Sequence, residues 1–197
     1  MSHFRAAVLA VAITLALVAG CTAEADRPEA ARQSLTGFAA CPTTSTTSIS
    51  TEPHPLPKLS LPCMDGSGRR FALRSSIGKP MVLNLWGSWC PPCGKELPAF
   101  VNVNASAAGS LQVMGVVTED SATRARESAA ELGMGFPNLY DHSGQLRRAL
   151  GVNALPVTLF VDSAGGLRKV YAGPIFTETS LREAIGRYLD VTMDRER

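Results

Sequence analysis

Residues 84–98 read NLWGSWCPPCGKELP, and the rest of the chain is best read outward from them. Cys90 and Cys93 stand two residues apart, and Pro91 and Pro92 fill the gap. Upstream, residues 80–87 (PMVLNLWG) form an almost unbroken apolar run, as in a strand buried on both faces. Downstream, residues 91–109 (PPCGKELPAFVNVNASAAG) can be helical, with a kink expected at Pro98. The cysteine pair thus sits where a buried strand passes into a helix. That places Cys90 near the N-cap, over unpaired N–H groups and the positive end of the helix dipole. Both features favour thiolate, the nucleophile of disulfide exchange. Cys93 lies one turn deeper. The pattern predicts an accessible Cys90 that attacks and a Cys93 that resolves the mixed disulfide.

The two prolines bear on redox direction. An N-cap side chain normally accepts from the N2 or N3 amide, and proline has no N–H to offer. Only the Cys93 amide and the rest of the turn remain to hold a Cys90 thiolate. Strongly oxidising dithiols stabilise their reduced form, so a fairly reducing couple is expected here.

Beyond this centre, residues 56–76 (LPKLSLPCMDGSGRRFALRSS) read as two short strands around an Asp65-Gly66 turn, with Cys63 ending the first. Residues 111–118 (LQVMGVVT) and 155–162 (LPVTLFVD) are further buried strands, and residues 136–141 (FPNLYD) a short extended piece. Residues 121–133 (SATRARESAAELG) suggest a helix with Ser121 as N-cap and Gly133 as its stop. Residues 143–152 (SGQLRRALGV) suggest about two helical turns. Residues 167–173 (LRKVYAG) close a hairpin, and residues 177–189 (TETSLREAIGRYL) are amphipathic, with Leu181, Ile185 and Leu189 at fourfold spacing. Strands alternating with helices argue for a three-layer α/β sandwich.

The N-terminal part reads differently. Arg5 is followed by an uncharged run over residues 6–20, short of the roughly 20 apolar residues of a membrane span. It fits a secretory signal. Val18-Ala19-Gly20-Cys21 resembles the bacterial lipobox, which implies cleavage before Cys21 and lipid on its sulfur. Ordinary secretion and an uncleaved anchor are the competing readings. Residues 1–20 are therefore assigned to a lipoprotein signal peptide, 21–56 to a lipid-anchored tether and loop, and 57–197 to the folded domain. Within the tether, residues 29–40 hold a weak helical patch. Residues 41–58 (CPTTSTTSISTEPHPLPK) are too polar and proline-rich to offset ordering entropy. His54 there, and His142 after Asp141, are expected at the surface.

With Cys21 assigned to lipid, four of the five cysteines remain, and four allow three pairings. Cys90 with Cys93, and Cys41 with Cys63, is the simplest. A Cys41–Cys63 bridge would close a loop of about 22 residues, worth about 3 kcal/mol by chain entropy. Free buried thiols or a second redox pair are the other possibilities at these positions.

The centre resembles thioredoxin, and more closely the membrane-attached TlpA/ResA/DsbE branch. The residues that carry the resemblance are Trp89-Cys90-Pro91-Pro92-Cys93, Glu96 and Pro98, then Leu155-Pro156-Val157-Thr158, and the match spans residues 57–190. It implies a thioredoxin-like fold with an N-terminal β-hairpin and a helix–strand insertion over residues 121–141. It implies a cis Pro156 facing the dithiol, which would leave the Leu155 backbone free to pair with an extended substrate. It also implies that Glu96 modulates the cysteines. Glu96 shares a helix face with Cys93 and, if half-buried, could accept the Cys93 proton. Cytoplasmic thioredoxins place a buried aspartate where this chain has Asn84, which cannot exchange a proton. Trp89, Pro91 and Pro92 would line the substrate contact, whereas Trp86 belongs to the core. Gly94 departs from the basic residue many relatives carry.

With 19 basic and 17 acidic residues the chain is nearly neutral, and no basic run or aromatic–basic interleaving points to nucleic acid. No cofactor motif and no metal cluster is visible. A zinc clip would need a second tight pair of ligands, a copper chaperone lacks a histidine partner, and a peroxiredoxin would need a proline-threonine motif that residues 83–89 do not contain. A non-catalytic binding module is disfavoured by the intact dithiol. The expectation is an enzyme: a monomeric, lipid-anchored thiol–disulfide oxidoreductase on the extracytoplasmic face of a bacterial membrane. It would exchange disulfides with partner proteins and draw electrons from a membrane dithiol carrier. Reduction is the preferred direction, with apocytochrome c cysteines as substrates by resemblance. A disulfide-forming oxidase and a peroxiredoxin-like peroxidase are the alternatives.

Overall fold

The computed structural model describes residues 37–43, 56–75 and 77–193. Cys21, His54 and the proposed signal and lipobox lie outside them. Five strands form the central sheet: β3 (Met81–Trp86), β4 (Gln112–Thr118), β5 (Asn138–Asp141), β6 (Val157–Val161) and β7 (Leu167–Tyr171). Their order is β5-β4-β3-β6-β7, with β3, β4 and β5 parallel and β6 and β7 antiparallel to their neighbours. A separate hairpin pairs β1 (Ser60–Pro62) with β2 (Arg70–Ala72). The helices are α1 (Pro91–Ser106), α2 (Ala122–Glu131), α3 (Gln145–Ala149) and α4 (Glu178–Leu189).

Central β3 is buried at every position, as its apolar run requires. One face, with Val82 and Trp86, packs on Phe100 and Val103 of α1, Ala125 and Ala129 of α2, and Leu181 and Ile185 of α4. The opposite face, with Met81, Leu83 and Leu85, packs on Leu61 and Phe71 of the hairpin and Leu146 of α3. This is the expected three-layer arrangement, with the hairpin forming much of the third layer. The hairpin is tied to the sheet edge by a bridge between Cys63 and Leu139 and by the Met64 amide, which donates to the Asn138 carbonyl at 2.9 Å.

Asn138 is a polar residue built into the first core. Asn138 Oδ1 accepts from Trp86 Nε1 at 2.8 Å, and its amide donates to the Phe136 carbonyl at 3.1 Å. A Cβ on Gly115, its register partner on β4, would collide with that side chain. Glycine at 115 is what lets a buried asparagine hold the indole.

Three local expectations change. Ser121 has extended N-cap geometry, but its side chain makes no capping bond; its amide is instead held by Asp120 Oδ1 at 2.7 Å. Helix α3 is only five residues long, and the Asp141 carboxylate caps it by accepting from the Gln145 and Leu146 amides at 2.8 and 2.9 Å. Residues 37–40 of the expected helical patch are not helical. Part of the stretch expected as a tether is core. Phe38, Cys41 and Leu56 are buried. The Arg126 guanidinium lies 5.8 Å from the Phe38 ring centroid and donates to the Met64 carbonyl at 3.2 Å. Phe38, Leu56 and the Cys41 cross-link anchor this segment, and isolated buried residues of this kind leave no periodic pattern in the sequence.

The Cys41–Cys63 disulfide has an S–S distance of 2.08 Å. Asp65 Oδ2 accepts from the Cys41 amide at 3.0 Å, and Arg69 Nη2 donates to the Cys41 carbonyl at 2.6 Å. Desolvation pushes the Asp65 carboxyl up, but hydrogen bonds from Ser67, the Cys41 and Ser67 amides and Arg69 outweigh it and bring the pKa to about 2.

Candidate active site

The chain leaves β3 at Trp86, turns through residues 87–89 and enters α1 with Cys90 as N-cap. Cys90 has extended backbone angles, φ −102° and ψ 95°, and Pro91 and Pro92 occupy the first two helical positions. There their missing N–H groups break no helical bond. The first side-chain-directed donor is therefore the Cys93 amide, which donates to Cys90 Sγ at 3.2 Å. The two cysteines form a disulfide, S–S 2.11 Å, with Cα atoms 5.3 Å apart. Cys90 is 5% exposed and Cys93 is fully buried. Cys90 is thus the more accessible residue of the pair, although less open than expected. Pro91 and Pro92 are exposed beside it. Helix α1 runs on through exposed Pro98 to Ser106.

Trp89 is half exposed, and its Nε1 donates to the Glu119 carbonyl at 3.0 Å. The indole lies over Gly87, where a Cβ would sit 2.7 Å from Nε1. The same loop is gripped by Asp120, whose carboxylate accepts from the Ser88 amide at 2.6 Å and the Ser88 hydroxyl at 3.0 Å. Asp120 and Glu119 follow β4, so the helix–strand insertion that begins there also supports the loop presenting Cys90. Sequence reading missed both residues. Their contacts join positions about 30 apart, and a turn motif offers no signal for them.

The Leu155–Pro156 peptide bond is cis. Register pairs Leu85 with Val157, so Pro156 falls one step further, beside the carboxyl end of β3 where the cysteine loop departs. Leu155 is partly buried against both cores.

Glu96 lies one turn beyond Cys93 and is buried rather than half-buried. Its Oε1 accepts from Asn84 Nδ2 at 2.7 Å, and its Oε2 accepts from the Phe176 amide at 3.0 Å. Burial raises its pKa above the ordinary glutamate value, and the two hydrogen bonds only partly oppose this. A carboxyl so placed keeps its proton to higher pH than an exposed glutamate and is suited to exchange it with the thiol one turn away. Asn84 pairs in register with Thr158 on β6, and its Nδ2 also lies 3.3 Å from Thr158 Oγ1. The loop before α4 brings in Phe176, a third residue missed in the sequence, and leaves Ile175 exposed beside it.

Cys90, Cys93, Glu96, Trp89, Pro91, Pro92, Leu155 and Pro156 therefore gather at one end of the sheet. Cys41 and Cys63 belong to the opposite core, and with Asp65 they form the one metal-competent cluster among the described residues. Both its sulfurs are committed to a disulfide bond. His142 is exposed, with Nδ1 3.0 Å from Tyr140 Oη.

Residues 53–170 match the AhpC/TSA family. The chain is 33% identical over 138 residues to the thiol:disulfide interchange protein DsbE of Yersinia pestis, covering 68% of this chain and 71% of that one. It is 29% identical over 127 residues to the thiol-disulfide oxidoreductase ResA of Geobacillus thermodenitrificans, covering 64% and 70%. Among solved structures, the exposed lipoprotein thioredoxin of Streptococcus pneumoniae superposes with a TM-score of 0.55 at 27% identity, covering 66% of this chain and 98% of that one. The chain belongs to the AhpC/TSA family, as a thioredoxin-fold thiol–disulfide oxidoreductase of the ResA and DsbE type.

Proposed function

We propose that this oxidoreductase works outside the cytoplasm, tethered by lipid on Cys21, and reduces disulfides of partner proteins through Cys90 and Cys93. The Cys90 thiolate attacks one sulfur of a partner disulfide. The partner S–S bond breaks, a Cys90–partner disulfide forms, and one partner thiolate leaves. Cys93 then gives its proton to the Glu96 carboxylate and attacks Cys90 Sγ. The Cys90–Cys93 disulfide forms and the second partner thiolate departs, so two electrons pass from this chain to the partner. A membrane dithiol carrier returns them. Pro156 and Leu155 offer backbone to an extended substrate, and half-exposed Trp89, next to Cys90 in the chain, offers it an aromatic surface.

The observation that carries the reading is the pairing of an N-cap sulfur with a single amide donor above a buried, protonatable Glu96. Location rests on the signal-like residues 6–20, the lipobox-like residues 18–21 and a second disulfide of the kind that persists in oxidising compartments. Likeness to an exposed lipoprotein supports it too. Among the described residues no helix is long and apolar enough to cross a membrane. Apocytochrome c cysteines are the substrate suggested by resemblance to the DsbE branch.

Cys93→Ser, expressed in its own host with its native N-terminus, stalls the exchange at the mixed disulfide. Membrane-fraction adducts that release identifiable cysteine proteins on reduction, and that vanish in Cys90→Ser, are the expected result. Adducts independent of Cys90, or insulin reduction that persists in Cys90→Ser, would end the proposal.

A further inference from the structure

The amide of Asn84 is arranged for more than one partner state. It is fully buried on β3. Its Nδ2 carries two hydrogens and faces two oxygens, Glu96 Oε1 at 2.7 Å and Thr158 Oγ1 at 3.3 Å. Its Oδ1, at the other end of the same group, accepts from nothing among the described residues. Buried amide oxygens are ordinarily paired. This one is left over because both partners lie on one side of the amide.

Which end suits that side depends on a proton. When Glu96 is a carboxylate, Oε1 needs a donor and Nδ2 serves. When Glu96 takes up a proton, Oε2 still accepts from the Phe176 amide, so the proton resides on Oε1. Then Oε1–H meets Nδ2–H, donor against donor. Turning the amide over places Oδ1 there instead. An asparagine oxygen has two lone pairs. It can accept from Oε1–H and, after a hydroxyl rotation, from Thr158 Oγ1–H. Two donors facing two acceptors become one acceptor facing two donors, with no shift of backbone.

We propose that Asn84 is a positioning residue whose side-chain amide turns over with the protonation of Glu96, with Thr158 Oγ1 as its second partner in both states. The inference rests on the reading of Glu96 as proton acceptor for Cys93. An aspartate at 84 would add a second proton site; an asparagine adds none and lets the carboxyl keep a hydrogen-bond partner on both sides of the transfer. The groups facing Glu96 are Asn84 from β3, the Phe176 amide from the loop before α4 and Cys93 from its own helix; adjacent Lys95 is exposed.

The test uses the wild-type oxidised protein, where neither active-site cysteine holds a proton. Glu96 is titrated by carboxyl carbon NMR while NOEs are followed from the Asn84 NH2 protons to the Thr158 methyl. They are expected to be strong above the Glu96 midpoint and several-fold weaker below it. Equal NOEs on both sides overturn the inference. A second measurement compares midpoints in Asn84→Leu. A fixed donor favours only the anion, and its removal would raise the Glu96 midpoint by about one pH unit or more. A group that serves both forms leaves the midpoint within about half a unit. A raised midpoint of the first kind also overturns the inference. Full turnover by Glu96→Gln at all pH values would instead remove the proton-acceptor role, whatever the NOEs show.

Discussion

The Cys93 amide donates to Cys90 Sγ at 3.2 Å, across a helix start from which two prolines have removed the other side-chain-directed donor. The N2 amide, which would normally share this task, is absent at Pro92. Pro92→Ala restores that N–H one residue nearer the sulfur. A hydrogen bond to a charged acceptor is worth about 1.5–3 kcal/mol, and it favours the thiolate form. The variant should alkylate at Cys90 several-fold faster near pH 6 and should become a stronger oxidant in equilibrium with glutathione. An unchanged alkylation rate would mean that the remaining turn, not the amide count, sets the sulfur's chemistry.

Glu96 predicts opposed effects on stability and on rate. Its folded pKa is raised by burial. The native state therefore holds a proton at pH values where the unfolded chain has lost it. Stability falls as pH rises from the unfolded glutamate value through the folded one, and the loss is complete above it. Glu96→Gln cannot ionise and escapes this loss. Its melting temperature should exceed wild type at pH 8, and the difference should close at pH 4. Its resolution step should slow by about 10²-fold, the lower range for loss of a general base, measured as the decay of the mixed disulfide with a peptide partner. A variant both less stable at pH 8 and fully active would refute the assignment.

Much of this site was legible in the sequence, because its signals are local. Cys90, Cys93 and Glu96 follow one another at helical spacing after an apolar strand, and Pro156 opens another strand. The parts that were missed are tied by long-range contacts. Asp120 meets Ser88 across 32 positions, and the Phe176 amide meets Glu96 across 80. Neither Asp120 in a turn nor Phe176 before a helix carries a pattern that foretells its partner. Glu96 proved more buried than its place near a helix start implied, because the loop before α4 folds across it. Phe38 was hidden differently: within a stretch read as a weak helical patch of the tether, one buried ring carries no periodic signal of its own.

Gly94 is a departure that sterics do not demand. It is helical, and a Cβ placed there meets nothing within 4 Å. Gly94→Ala should stabilise the protein by about 0.5–1 kcal/mol, the helix propensity difference, read as a shift in the urea midpoint with unchanged m-value. Its NOE pattern around Glu96 and its rate with a peptide disulfide should match wild type. A loss of stability would show that glycine relieves strain ahead of Pro98, whose ring faces the carbonyl of residue 94.

Asp65 ties the Cys41 segment to the hairpin, and its chemistry sets a pH window of its own. Its carboxyl sits at about 2 in the folded protein against an ordinary 3.8. The unfolded chain therefore takes up a proton before the native one does. The stabilisation is fully present above the unfolded value and drains away as pH falls from about 4 to about 2. The site is partly exposed, so screening holds the effect to about 1 kcal/mol. Asp65→Asn loses the charge-assisted bonds from the Cys41 amide and Arg69. It should be less stable than wild type at pH 7 by about that amount, with the gap closing below pH 3. The Cys41–Cys63 disulfide should also be reduced faster by dithiothreitol, because the irregular segment holding Cys41 opens more often, while the Cys90–Cys93 disulfide keeps its rate. A stability gap that persists at pH 2, or equal acceleration at both disulfides, would place the role of Asp65 in general packing rather than in anchoring this segment.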